Sequence, residues 1–305
     1  MSDATHELGQ YIPVHYHYHM LQDEARMQAF AEAIIRVVPP GGRVLDLGGG
    51  TGVMSYFAAH IATQVWCVEH NAALVREARR ILELNPHSER IEIVEADAMQ
   101  YLPPEPVDVV ICEMLHVGML REKQLPVIDD FKRRYAARFG SLPVFLPEAF
   151  IQAIQPIQHD FDYMGFYAPG YVFQDPLSAQ PRSIPLGEPQ VYQLHSYRDP
   201  YPLQCGFNGA LAITQSGEFN ALRIITKNVL AVVEAENRTV DWFNQYLIVP
   251  LTSPIQVATN TCVHIEFDYP AGGALESFAP HIHPQYREAS CAAKNPCYAR
   301  AAYPL

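Results

Sequence analysis

The chain has 305 residues, 49% of them hydrophobic, and a formal net charge of −12 at pH 7. That length supports one large core or two moderate ones, and the acidic balance argues against a nucleic-acid backbone as partner, because phosphate binding relies on clustered Lys and Arg. A cationic partner suits the charge better. No apolar run approaches the roughly 18 residues a membrane helix needs, and the N-terminus opens polar and acidic, so a cytoplasmic protein without a membrane partner is expected. The cysteines Cys67, Cys112, Cys205, Cys262, Cys291 and Cys297 form no CxxC pair and several sit in apolar runs, which predicts reduced, buried thiols.

In chain order, "VHYHYHMLQDEAR" sets His15, His17 and His19 in alternation, a spacing that in an extended strand puts all three on one face. "DEARMQAFAEAIIRVV" places Met27, Phe30, Ile34 and Val37 or Val38 on one side of an amphipathic helix ended by Pro39 and Pro40. Strand "RVLDL" runs into the glycine turn "GGGTG" and a helix, "QVWCVEH" into the helix "AALVREARRILELN". "RIEIVEAD" and "VDVVICE" supply two further strands, and "KQLPVIDDFKRRYAARF" a later helix despite its Pro126. Alternation of this kind is the signature of a parallel sheet with crossover helices. After Pro147 the texture becomes all-β, with strands expected in "AFIQAIQPIQ", "ALRIITKNVLAVVEA", "QYLIVPL" and "CVHIEFDY". The proline-rich stretch 175–202 is expected to be a loop or arm. The expected division is a lid segment and helix over 1–40, a Rossmann-like cofactor domain over 41–146, a β-barrel-like substrate domain over 147–273 and an irregular tail over 274–305.

The turn "DLGGGTG" brings Gly48, Gly50 and Gly52 to a sharp strand-to-helix corner, behind Asp46, where backbone can approach a ligand with no side chain between. Its last glycine comes one place earlier than in the dinucleotide fingerprint. Glu69 ends the next strand, where a carboxylate can accept from both ribose hydroxyls, and Asp97 follows the third, within reach of an adenine amino group. Together these residues fit S-adenosyl-L-methionine better than a nicotinamide dinucleotide.

With these residues in place the chain resembles the class I S-adenosylmethionine-dependent methyltransferases, and more narrowly the protein arginine methyltransferases. The segment from His17 through Met20, Leu21, Asp23 and Arg26 is similar to that family's N-terminal motif, and "CEMLHVGMLREKQ" carries Glu113 and Glu122 at the spacing of its paired glutamates. The resemblance implies a lid over the cofactor, with Arg26 pairing its carboxylate and Met20 near its sulfonium. It implies further that Glu113 and Glu122 hold a guanidinium or amine during methyl transfer, and that a homodimer forms through an arm. A planar guanidinium suits bidentate carboxylate recognition in both settings.

Departures from the pattern fall on the substrate side. Leu115, His116 and Val117 replace aromatic and glycine residues between the glutamates, and Asp241 stands before Trp242 where the family has a histidine. His17, His116, Asp241 and Trp242 are therefore read as substrate-side residues, with Asp241 accepting from a cationic acceptor. The acceptor is either a cationic protein side chain or a small molecule, N- or O-linked, and a scaffold that binds cofactor without turnover is a third reading. A metal site combining the N-terminal histidines with His281, His283, Cys291 and Cys297 lacks a standard zinc spacing, and no metal is expected.

Overall fold

The computed structural model describes residues 12–287. Cys291 and Cys297, expected to be reduced and buried, lie outside the described residues.

Helices α1 (Val14–Leu21) and α2 (Glu24–Val37) precede strand β1 (Arg43–Leu47), α3 (Val53–Ala59), β2 (Gln64–Glu69), α4 (Ala72–Leu82), β3 (Ile91–Glu95), β4 (Val109–Cys112), α5 (Gln124–Phe139) and β5 (Val144–Leu146). The five strands pair in parallel in the order β3-β2-β1-β4-β5. Strand order reverses between β1 and β4, and an open α/β sheet binds its ligands at the carboxyl ends of strands flanking such a reversal. Helix α5 tolerates Pro126 because that residue lies in the first turn, whose N–H groups have no intrahelical acceptor.

The histidine segment departs from expectation. It is helix α1, not an extended strand, so His15 and His19 share one exposed face while the half-buried His17 points to another. Pro13 opens the helix at the N-cap, and a tether from the Tyr18 hydroxyl to Glu77 on α4 holds it against the sheet domain.

The all-β half begins with β6 (Ala149–His159) and continues through β7 (Asp162–Tyr163), β8 (Phe166–Tyr167), β9 (Val172–Gln174), β10 (Ser183–Pro185), β11 (Gln190–Ser196), β12 (Gln204–Ile213), β13 (Gly217–Val233), β14 (Arg238–Phe243), β15 (Tyr246–Val257), β16 (Thr261–Pro270) and β17 (His281–Arg287). The path β10-β6-β13-β15-β9 curls until its ends meet, with Gln174 Nε2 donating to Ser183 Oγ at 3.0 Å. Both faces of this wall are apolar. One joins the main core, the other a small core of Ile157, Phe161, Ala221 and Ile248. The 175–202 stretch is not a free arm, since β10 and β11 within it both pair with β6, whose backbone offers that edge. The stretch after 274 is likewise not wholly irregular: β17 pairs with β16. Cys67, Cys112 and Cys205 are free and buried as expected, whereas Cys262 is disulfide-bonded. No helix among the described residues is long and apolar enough to cross a membrane.

One buried side chain sets the loop after β4. Gln124, fully buried at the start of α5, accepts from Met114 N at 2.9 Å and donates to Cys112 O at 2.6 Å. Replacing it with Leu strands both backbone groups, and Gln124→Leu should lower stability by about 2 kcal/mol, measured as a shift of the urea midpoint.

Candidate active site

The glycine turn leaves β1 at the strand-order reversal. Gly48 and Gly50 have φ of +76° and +57°, in the left-handed region that side chains avoid. Sterics add a second reason: a Cβ on Gly48 would lie 2.9 Å from Met114 Cγ, and one on Gly50 3.0 Å from His17 Nδ1. The loop after β4 and helix α1 therefore both reach the turn.

Glu69, at the end of β2, accepts from Gly50 N at 3.0 Å and from Asn71 N at 2.7 Å, so both carboxylate oxygens are oriented by backbone at the turn. Asp97 accepts from Met99 N at 2.9 Å, which fixes the loop after β3. Asp46 has a different setting from the one expected. It is 1% exposed and accepts from Ser55 Oγ at 2.6 Å, bracing the start of α3 from beneath the turn. Burial pushes its pKa up to about 6, opposed by the Ser55 bond and aided by Glu113 and Glu69.

Asp23 caps α2 by accepting from Arg26 N at 2.9 Å, and the capped first turn aims Arg26 inward. Arg26 is 6% exposed. Its Nη2 forms an ion pair with Glu113, its Nη1 lies 3.4 Å from Met20 O, and its Nε has no partner. His17 Nε2 is buried and unpartnered too, and burial, helped by Arg26, pulls the His17 pKa down to about 4. The ring is thus neutral at pH 7. A donor at Arg26 Nε, an orphaned imidazole nitrogen and a side-chain-free glycine turn fit a cofactor that carries a carboxylate and hydroxyls.

Glu113 and Glu122 flank a tightly held loop. Gly118 N donates to Thr226 Oγ1 at 2.7 Å, Tyr269 donates to Gly118 O at 2.8 Å, Asn244 Nδ2 donates to Leu115 O at 3.0 Å, and Arg121 N donates to Gly273 O at 2.7 Å. Gly118, Met119 and Arg121 have φ of +70°, +53° and +59°, a conformation these barrel contacts impose. Sequence reading missed Gln124, Thr226, Asn244 and Tyr269, which are ordinary polar residues until the fold brings them to this loop. Burial raises the Glu122 pKa to about 8, Glu113 adding to the effect and Arg26 and Arg121 opposing it. His116 packs its ring edge-on against Phe173 at 5.7 Å and donates from Nδ1 to Val117 O at 3.0 Å; burial, reinforced by Arg121, brings its pKa down to about 4.

The barrel residues sit apart from their expected task. Asp241 Oδ2 lies 3.0 Å from the buried Lys227 Nζ and accepts from Thr239 Oγ1 at 2.8 Å, so the chain's own cation takes that oxygen, while Oδ1 is buried without a hydrogen-bond partner. Trp242 packs against Phe30 of α2 at 6.1 Å, behind Arg26. Among the described residues no group of three or more His, Cys, Asp or Glu is arranged to hold a metal.

Comparison with known proteins agrees with this geometry. A methyltransferase domain model matches residues 44–136. An uncharacterised protein of Methanothermobacter thermautotrophicus is 30% identical over 88% of this chain and 97% of its own length. Protein arginine N-methyltransferase 1 of Dictyostelium discoideum is 29% identical over 63% of this chain and 56% of that protein, so the chain spans little more than half of it. In fold, the Trypanosoma brucei PRMT1 enzyme-prozyme heterotetrameric complex with AdoHcy superposes with a TM-score of 0.64 at 14% identity, covering 89% of this chain and 97% of that one. That solved structure shares the architecture of a Rossmann-like domain followed by a β-barrel-like domain, and the methyltransferase match falls on the first of the two. The chain belongs to the class I S-adenosylmethionine-dependent methyltransferases, in one family with the Methanothermobacter protein, and it resembles the protein arginine methyltransferases.

Glu122 makes stability depend on pH. Its folded pKa of about 8 exceeds its unfolded value of 4.5, so the folded state binds more protons between the two, and stability falls as pH rises through that window. Melting temperatures from pH 5 to 8.5 should therefore decline more steeply for the wild type than for Glu122→Gln.

Proposed function

We propose that this methyltransferase transfers its methyl group to a guanidinium or amine nitrogen held by Glu113 and Glu122. The observation that carries this reading is the chain's own guanidinium: Arg26 lies on Glu113 beside the glycine turn, so Glu113 is already in a setting that accepts a planar cation. Arg26, Met20, Gly48, Gly50, Gly52, Glu69 and Asp97 would hold the cofactor, with Asp46 supporting the turn from below; His17, expected on the substrate side, joins them because its ring reaches Gly50. When bound, S-adenosylmethionine supplies an electrophilic methyl group on its sulfonium.

The remaining work is done by the chain's own groups. Arg26 offers its unpartnered Nε to a carboxylate while Nη2 keeps Glu113 oriented. Glu122 is mostly protonated at neutral pH in the free protein and ionises when a cation enters beside it, because an adjacent positive charge favours the carboxylate. Two carboxylates then fix the acceptor plane and draw positive charge away from the attacking nitrogen, a contribution of positioning and electrostatics. The strained loop keeps both glutamates from drifting. His116, closed against Phe173, stands between the glutamates where the related enzymes' pattern has other residues, and that departure supports a small acceptor over a protein side chain.

A homodimer is part of the proposal. The β7–β8 hairpin exposes Met164 and Phe166 at 105% and 71%, with Tyr163 and Tyr167 beside them. An apolar groove of about 220 Å³ between α1, α2, α3 and α4, lined by Leu21, Met27, Val53, Tyr56, Phe57 and Ile81, is the surface assigned to a second copy's hairpin, since both are apolar.

Labelled methyl transfer from S-adenosylmethionine into a fractionated extract tests the reaction and the acceptor class together: counts should follow small cationic molecules. Glu113→Gln should cut kcat/KM by at least about 100-fold while cofactor binding, read by calorimetry, persists. Transfer that survives this substitution rules out the glutamate role. For the wild type, kcat/KM should climb with pH toward about 8 as Glu122 loses its proton, and Glu122→Gln should flatten that limb. Sedimentation of the Met164→Asp, Phe166→Asp double variant should give a monomer where the wild type gives a dimer.

A further inference from the structure

The long strand β13 presents two faces. Thr226 lies on the face that braces the acceptor loop through Gly118 N, while Arg223, three residues earlier, lies on the opposite face of the curled wall. Gln155 of β6 and Ile248 of β15 flank it in register.

Arg223 is 6% exposed, its Nη1 donates to Gln155 Oε1 at 2.8 Å, and its guanidinium carbon stands 5.1 Å from the centre of the Tyr246 ring. Its Nε and Nη2 are buried and have no partner, and among the described residues no Asp or Glu forms an ion pair with it. The contrast with Lys227 is direct. That residue is the other buried cation on this face of β13, and it has its carboxylate in Asp241. A buried guanidinium with no counter-charge and only one of its donor groups partnered is strongly unfavourable, and desolvation accordingly pulls the Arg223 pKa down.

Which atoms are left open is informative. Nε and Nη2 share one edge of the guanidinium, the fork that holds two coplanar oxygens by parallel hydrogen bonds. Gln155 already takes a donor from the other side of the group. A phosphate would bring a second negative charge, yet burial, Arg182 and Arg223 pull the pKa of neighbouring His159 down against Asp160, so that ring disfavours the protonated form that would balance it. The His159 ring is engaged through Nδ1 with Ser183 Oγ at 2.8 Å. The covering segment with Phe161 and Val172 shields the face, which favours a small ligand over a polypeptide.

We propose that Arg223 anchors a second binding site, separate from the glycine turn, for a small monocarboxylate gripped by its Nε–Nη2 edge. This site does not depend on the identity of the methyl acceptor.

The test is thermal unfolding of the full chain in sodium acetate, against sodium chloride and sodium phosphate at equal pH and ionic strength, with S-adenosylhomocysteine saturating so that Arg26 cannot supply the response. Acetate should raise the midpoint of the wild type saturably by about 2–5 °C. Arg223→Gln and Arg223→Lys should both lose the rise, the lysine because it keeps the charge and lacks the fork. Equal midpoints in acetate and chloride for the wild type overturn the proposal, as does a rise retained in Arg223→Gln. Should the variants not fold, line broadening of carbon-13 acetate by the wild type, displaced by formate and not by phosphate, supports the site, and an absence of broadening refutes it.

Discussion

The ion pair between Arg26 and Glu113 is the constraint on which the rest of the site depends. Each partner comes from a different part of the chain, Arg26 from the capped first turn of α2 and Glu113 from the end of β4, and both are nearly excluded from solvent. Such a pair is costly to desolvate and more costly to break, because either partner alone is a buried uncompensated charge. It therefore fixes where the N-terminal helices sit over the sheet, brings His17 onto Gly50, and leaves Arg26 Nε without a partner. The same pair carries the proposed chemistry, since a carboxylate that can hold Arg26 can hold a cationic acceptor.

Electrostatics within the site form a graded set of acids. Asp46, under the turn, and Glu122, at the far end of the loop, both hold their protons more tightly than free carboxylates because burial and neighbouring carboxylates disfavour further negative charge. In the proposed function an acceptor cation would relieve that frustration, which would tie recognition of positive charge to the ionisation of Glu122. The barrel contributes by geometry: Thr226, Asn244 and Tyr269 grip a loop whose backbone visits left-handed conformations, and such strain persists only where surrounding contacts over-determine it.

Much of the parallel sheet was legible. The strands around "RVLDL" and "VVIC", the glycine turn and the amphipathic α2 carry their periodicity and turn chemistry locally, so residues a few positions apart suffice to read them. The methyltransferase class followed from the same stretch. Reading failed where local pattern misleads. Alternating His and Tyr imitate a strand, but packing of His17 on the turn and the Tyr18 tether select a helix. The prolines between 175 and 202 imitate a loop, yet the open edge of β6 recruits two strands from it. Asp241 looked available to a substrate because its partner, Lys227, is fourteen residues away in sequence and adjacent only across the β13–β14 pair.

By itself the sequence determined the order of strands and helices from α2 to α5, the glycine turn, and the types of charged residue at Arg26, Glu69, Glu113 and Glu122, because these rest on short-range periodicity and on spacings within single segments. Only the tertiary structure decided which charges meet. The Arg26–Glu113 pair and the barrel clamps on the loop between the glutamates join residues distant in sequence, and their energies, like the cost of the orphan nitrogens of Arg223, depend on burial, a property that no local pattern of side chains specifies.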